Sequence, residues 1–199
     1  MIRFIFDLDG TVSTEETLPV IAAHFHIEEE MGRLTAETVA GNIPFTDSFI
    51  KRVHMLSRLP VSEINTLLGQ VGLFSDISAF IAAHREHCVI ATGNLDCWVE
   101  KLLSRINVES HTSSARVEDD HIAKITNILQ KEDVVKMYKA LGDKVVFIGE
   151  GNNDMEAMRL ADISIASALV HPPATSVLSI TDYLVFEEGT LCRLLNQLC

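Results

Sequence analysis

The chain has 199 residues, 47% hydrophobic and 22% charged, with a formal net charge of −12. That length allows one sizeable core, or a core with a small insert, in an ordinary globular composition. The acidic balance argues against nucleic acid and against an anionic membrane surface, both of which are held by basic faces, but a small anionic substrate needs only local positive charge.

No apolar stretch reaches the length of a membrane span, and the N-terminus lacks the basic region and long apolar run of a signal peptide. Cys88, Cys97, Cys192 and Cys199 form no Cys-x-x-Cys pair, and free thiols in a cytoplasmic protein are the simple reading. The close histidine pairs His24/His26 and His84/His87 have no cysteines at zinc spacing and read as surface or helix-flank residues.

In chain order, Ile2 to Phe6 is an apolar run that reads as a short buried strand. From Ser13 to about Gly72 the pattern is helical and without a strand. One stripe holds Leu18, Ile21, Ala22 and Phe25, and a second holds Val53, Leu56 and Leu59, ending before Pro60. A third holds Ile64, Leu67, Leu68 and Val71, with Ser62 as its expected N-cap. Gly41-Asn42-Ile43-Pro44 breaks this run in the middle.

From Phe74 strands and helices alternate. Ile77–Ala83 reads as a helix, His87–Ala91 as a buried strand and Thr92-Gly93-Asn94 as a turn. Leu95 to Ile106 then makes an amphipathic helix. Val108 to Thr126 holds short strands around the polar turn Glu118-Asp119-Asp120, and a helix follows through Val134, Val135, Tyr138 and Leu141. Lys144–Gly149 is a strand, Asn152–Leu160 a helix and Asp162–Ala166 a strand. Pro172-Pro173 opens a short helix, Tyr183–Phe186 is the last strand, and a helix through Leu191, Leu194, Leu195 and Leu198 ends the chain. This alternation predicts an α/β fold with a doubly wound, mainly parallel sheet. Residues 1–12 and 74–199 would form the core, with residues 13–73 as a helical insertion after the first strand.

Four stretches fall at strand ends or helix starts. Asp7 and Asp9, at i and i+2 of extended chain, face one small volume. Two such charges repel by about 4 kcal/mol at 4 Å with an effective dielectric near 20. A cation, a shared proton or escape into water must offset that. Thr92-Gly93-Asn94 opens a helix, and either places free N–H groups where a phosphate binds or is a plain helix cap. Lys131 starts a helix, and alone says little. Gly149-Glu150-Gly151-Asn152-Asn153-Asp154 is either a capped loop or a site for a hard cation.

Together, the Asp-x-Asp-x-Thr of Asp7 to Thr11, Thr92-Gly93, Lys131 and the 149–154 loop resemble the motifs of the haloacid dehalogenase superfamily of phosphotransferases in order, spacing and placement. Glu15-Glu16-Thr17, Phe45 and Lys51-Arg52-Val53 resemble the helical cap of its phosphoserine phosphatases. The resemblance implies a magnesium-dependent (Mg2+) phosphomonoesterase with Asp7 as nucleophile and Asp9 as general acid and base. Thr92, Gly93 and Lys131 would hold phosphate oxygens. Asp7, the Asp9 carbonyl and Asp154 would bind the metal, with Glu150 and Asn153 in support. Glu16 would take a substrate ammonium and Arg52 its carboxylate, beside Phe45. Ser13-x-x-Glu16 also has capping-box spacing, which is the rival reading of Glu16.

Two departures stand out: Glu150 occupies a position where the family pattern has Asp, and Val39 one where it has Met. The implied substrate is O-phosphoserine, hydrolysed to serine and phosphate. Phosphohomoserine or a sugar phosphate is the alternative, and a non-catalytic binder of a phosphorylated metabolite the third reading. The expected protein is a cytoplasmic monomer or homodimer.

Overall fold

In the computed structural model, residues 1–39 and 43–199 are described, without the side chains of residues 36, 38, 39 and 45. The break expected at 41–42, and the side chains of Val39 and Phe45, therefore lie outside the described residues.

The apolar run at the start is β1 (Ile2–Phe6). The helices α1 (Thr17–His24), α2 (Glu28–Val39), α3 (Phe45–Leu56) and α4 (Val61–Leu68) follow it. An isolated antiparallel bridge between Ser13 and Leu73 closes this segment at its base. Then come α5 (Ser75–Ala83), β2 (Cys88–Leu95), α6 (Asp96–Ile106), β3 (Glu109–Glu118), β4 (His121–Asn127), α7 (Lys131–Ala140) and β5 (Lys144–Gly149). A single tight turn at Asn152–Asp154 leads into α8 (Met155–Leu160). The chain ends with β6 (Ile163–Ser167), α9 (Thr175–Leu178), β7 (Tyr183–Val185) and α10 (Glu188–Leu198).

The seven strands form one sheet in the order β4-β3-β2-β1-β5-β6-β7. All neighbours are parallel except the β3–β4 hairpin. The mainly parallel α/β sheet is therefore as the alternation implied, with an antiparallel edge. Strand β1 lies between β2 and β5, where chain order reverses, and ligands of open α/β sheets bind outside the carboxyl ends of the strands at such a point.

Side-chain alternation along β1 sends Phe4 and Phe6 to one face and Ile5 to the other. The Phe4 face continues without a break into Ile21, Phe49, Val53, Leu56, Ile64 and Leu68 of α1, α3 and α4. Burying those stripes anchors the inserted helices to the sheet, at about 1.5–3 kcal/mol for each fully buried large side chain.

Several local expectations are corrected. Strand β2 does not stop at Ala91. It runs through Thr92-Gly93-Asn94 to Leu95, with a register irregularity between Thr92 and Leu95 where the backbone leaves the β3 ladder. The segment around Glu118-Asp119-Asp120 forms two long strands, because Asp119 and Asp120 both adopt positive φ (49° and 64°) and make a tight hairpin turn.

Ser62 does not cap α4, which begins one residue earlier at Val61. The hairpin tip closes that end instead. The Asp120 carbonyl accepts the Val61 N–H at 2.8 Å, and the Asp120 carboxylate accepts the Ser62 N–H at 2.8 Å and its hydroxyl at 2.6 Å. Helix α3 ends at Leu56, so Leu59 lies beyond it. Pro172-Pro173 does not open a helix. Helix α9 starts at Thr175 behind an Ala174 N-cap, leaving His171 to Pro173 as a loop above β6.

Candidate active site

At the tip of β1 the backbone turns at Gly10 (φ +64°), a conformation in which glycine has no Cβ penalty. Asp7 is buried, and its Oδ1 accepts the Leu8 N–H at 2.7 Å and lies 2.6 Å from Lys131 Nζ. Lys131, the first residue of α7 and 2% exposed, also donates to Asp154 Oδ1 at 2.6 Å. The other oxygen of Asp154 accepts the Glu150 and Gly151 N–H groups at 3.0 and 2.8 Å. This clasp needs a glycine at 149: a Cβ there would stand 2.6 Å from Asp154 Cγ. Glu150, one methylene longer than the expected Asp, is buried, and its Oε2 accepts the Thr11 hydroxyl at 2.6 Å.

Carboxylate oxygens of Asp7, Glu150 and Asp154 lie within 4.8 Å of one another. Burial, and then the neighbouring Asp154, push Asp7 well above the ordinary carboxylate range despite Lys131. Burial, with Asp7 and Asp154 beside it, does the same to Glu150. Burial alone would lower Lys131, but Asp154 and Asp7 outweigh it and hold the ammonium charged. Three carboxylates against one ammonium leave negative charge uncompensated in a buried, all-oxygen donor set. That is the chemistry of a hard divalent cation site, so the residues fit the expected metal.

Asp9 turns away from this cluster. Its Oδ1 accepts the Thr17 N–H, at the start of α1, at 2.7 Å, and its Oδ2 accepts Asn94 Nδ2 at 2.6 Å. Burial raises its carboxyl pKa, with Thr17 opposing. The side chain of Thr92 is buried below Asn94, whose N–H reaches Thr92 Oγ1 at 3.2 Å.

Above these groups opens a cavity of about 500 Å³. Asp7, Asp9, Glu16, Arg52, Gly93, Glu150 and Asn153 line it, while Thr92 and Lys131, both buried, do not. The capping-box reading of Glu16 is excluded, because Ser13 Oγ bonds the carbonyls of Leu8 and Glu15, and Glu16 makes no side-chain cap to α1. Arg52, 8% exposed, donates to Thr35 Oγ1 at 3.2 Å, and its Nε has no hydrogen-bond partner among the described residues. Burial lowers the Arg52 pKa, with Glu16 opposing.

Sequence reasoning did not single out His171, which also lines the cavity, with Nε2 2.5 Å from Glu16 Oε1. Nor did it assign Asn94, Thr17 and Thr11 the hydrogen bonds they make here. Burial works against charge on His171, but the Pro172 carbonyl and the Glu16 carboxylate outweigh it and raise its pKa. The only clue in the sequence was its place at the carboxyl end of a strand, just before Pro172-Pro173.

Residues 4–159 match the haloacid dehalogenase-like hydrolase family, and the chain belongs to it. Within it the chain is similar to phosphoserine phosphatases. It is 25% identical over 177 residues to the phosphoserine phosphatase of Methanocaldococcus jannaschii, covering 81% of this chain and 83% of that one. It is 24% identical over 179 residues to the one from Lactococcus lactis, covering 81% of each. It spans 51% of the length of the Archaeoglobus fulgidus phosphoserine phosphatase, to which it is 20% identical over 81% of this chain. The fold superposes on a substrate-bound phosphoserine phosphatase complex with a TM-score of 0.82 at 21% identity, covering 99% of this chain and 98% of that one. Among the described residues, no helix is long and apolar enough to cross a membrane.

Proposed function

We propose that this hydrolase cleaves small phosphomonoesters through an aspartyl-phosphate on Asp7, with O-phosphoserine as the first substrate to test. The observation that carries this reading is Lys131 held 2.6 Å from both Asp7 and Asp154 beneath a cavity that also presents Glu16 and Arg52. The names of the relatives support the choice of substrate. Both hydrogen bonds of Asp7 fall on Oδ1, which leaves Oδ2 to attack phosphorus as the ester P–O bond breaks. Asp9, whose raised pKa suits proton donation, gives its proton to the departing alkoxide. It then takes a proton from water as that water's oxygen attacks phosphorus, which releases phosphate and restores Asp7.

Lys131, Thr92 and the Gly93 N–H would stabilise the phosphate oxygens, where positioning and charge dominate. Asp7, the Asp9 carbonyl, Asp154 and Glu150 would hold a magnesium ion, whose chemistry here is neutralisation of the carboxylates and of the substrate dianion. Asn153, on the loop beside it, would support Lys131 and the metal ligands. Arg52 would fork onto a substrate carboxylate, and Glu16 would receive an ammonium. Residues 13–73 would act as a cap that excludes bulk water.

The test is phosphate release from O-phosphoserine and a panel of small phosphomonoesters, with magnesium and with chelator. Turnover that chelator leaves untouched defeats this reading. A second reading, in which another small phosphorylated metabolite is preferred, is favoured by one observation: Glu16 is already paired with His171.

A further inference from the structure

The two ring nitrogens of His171 each face an acceptor oxygen: Nδ1 is 3.0 Å from the Pro172 carbonyl and Nε2 is 2.5 Å from Glu16 Oε1. A neutral imidazole has one N–H and one lone pair. Two acceptor partners are both satisfied only by a ring that donates from both nitrogens. Glu16 thus already receives an N–H from a protein group at the place where a substrate amine would dock. The second charged group at this end of the cavity is Arg52, whose buried guanidinium has a single hydrogen bond, to Thr35, among the described residues. This end can satisfy a carboxylate in full, but it meets an ammonium with a carboxylate that is half engaged.

We infer that His171 is a specificity-determining residue that occupies Glu16 and so shifts the site away from amino-bearing leaving groups. The favoured class is a phosphate monoester of a small hydroxy acid, in which a carboxylate is kept and a hydroxyl stands where serine has its ammonium. A hydroxyl can donate to the free Glu16 oxygen and accept from a nearby N–H, whereas an ammonium offers only donors and sits against another donor. This inference rests on the reading above, in which Glu16 and Arg52 face the leaving group.

The experiment compares kcat/KM for O-phosphoserine with that for glycerate phosphorylated on its terminal hydroxyl, its hydroxy-acid analogue. Wild type, His171→Ala and His171→Gln are measured with magnesium, and competitive inhibition by serine and glycerate reads affinity without turnover. The ratio of phosphoserine to phosphoglycerate is expected to rise roughly five- to tenfold in His171→Ala, the scale of one partly exposed charged hydrogen bond. The rise should come through KM, with serine inhibiting more tightly. His171→Gln, which keeps an N–H donor, should bring the ratio back toward wild type. A ratio that stays level or falls in His171→Ala overturns the inference.

Arg52→Ala separates the two levels. If it weakens both carboxylate substrates no more than it weakens phenyl phosphate, the reading of this end of the cavity fails, and the role of His171 falls with it. If Arg52 behaves as proposed and the ratio in His171→Ala does not move, only the role of His171 fails.

Discussion

The hydroxyl of Thr11, four residues past Asp7, donates to Glu150 Oε2 at 2.6 Å, tying the tip of β1 to the loop after β5 across 139 residues of chain. The extra methylene of Glu150 is what makes this bond matter: the longer carboxylate is buried, and Thr11 is the side chain that holds it. Thr11→Val keeps the shape and removes the donor. It should cost about 1–3 kcal/mol of stability in chelator, the penalty for a buried acceptor left unpaired. It should also raise the magnesium concentration needed for half-maximal activity. A melting curve and a magnesium titration both unchanged from wild type would show that Glu150 is held by something else.

Asp7→Asn preserves size and can still accept the Leu8 N–H, but it removes the oxygen proposed to attack phosphorus. Phosphate release from the best substrate in the panel should drop on the order of a millionfold, the scale seen when a nucleophile is deleted. Circular dichroism should show the fold retained. Substantial turnover in this variant would remove Asp7 from the role of nucleophile.

Much of this site was legible because it is local. Asp7 to Thr11 and the 149–154 loop sit at strand ends and Thr92-Gly93 in the last half of β2, and parallel pairing of β1 with β2 and β5 brings these stretches together. The apolar runs that announce the strands are thus the same feature that assembles the site. What could not be read are contacts with no local signature. His171 meets Glu16 across 155 residues, from a loop whose prolines suggested a helix start. Asp120 closes α4 across 58 residues, so the Ser62 cap expected from local sequence gave way to a tertiary one. The strand-like path of Thr92 to Asn94 was hidden because threonine, glycine and asparagine signal a turn, whereas β3 pairs with Thr92 and takes up the ladder again at Leu95.

The Asp120 contact predicts how the inserted helices are held. Asp120→Ala removes the carboxylate acceptor of the Ser62 N–H and hydroxyl, and hydrogen exchange at the first amides of α4 should quicken while α6 stays protected. The Ser62 hydrogen bonds also hold the Asp120 carboxyl below its ordinary value. This contribution is therefore present above the unfolded pKa and lost as pH falls through the folded one. Unchanged exchange at Val61 and Ser62 would show that the hairpin does not clamp the helix.

The buried carboxylates set an opposite pH dependence. Asp7 and Glu150 are raised above their ordinary values of 3.8 and 4.5, so the fold binds their protons more tightly than the unfolded chain does. Their contribution is complete below those ordinary values and is lost as pH rises through the folded ones. Across that window stability falls by about 1.4 kcal/mol per pH unit for each group titrating. In chelator, the melting temperature should decline as pH rises above the ordinary carboxylate range, and magnesium should stabilise the protein more at the higher pH than at the lower. A magnesium effect independent of pH would mean that the ion does not bind among these carboxylates.

Arg52 gives the sharpest test of what the cavity holds. The residue is 8% exposed, and its guanidinium bonds Thr35 and leaves Nε without a partner among the described residues, a costly arrangement unless an anion completes it. Arg52→Ala should reduce kcat/KM for O-phosphoserine on the order of ten- to a hundredfold, the range of one charge-assisted contact. The loss on phenyl phosphate, which has no carboxylate, should be several times smaller. Arg52→Lys should recover only part of the loss, because an ammonium keeps the charge but not the two-pronged geometry. Equal losses on both esters would place Arg52 in the framework of α3 and not at the substrate.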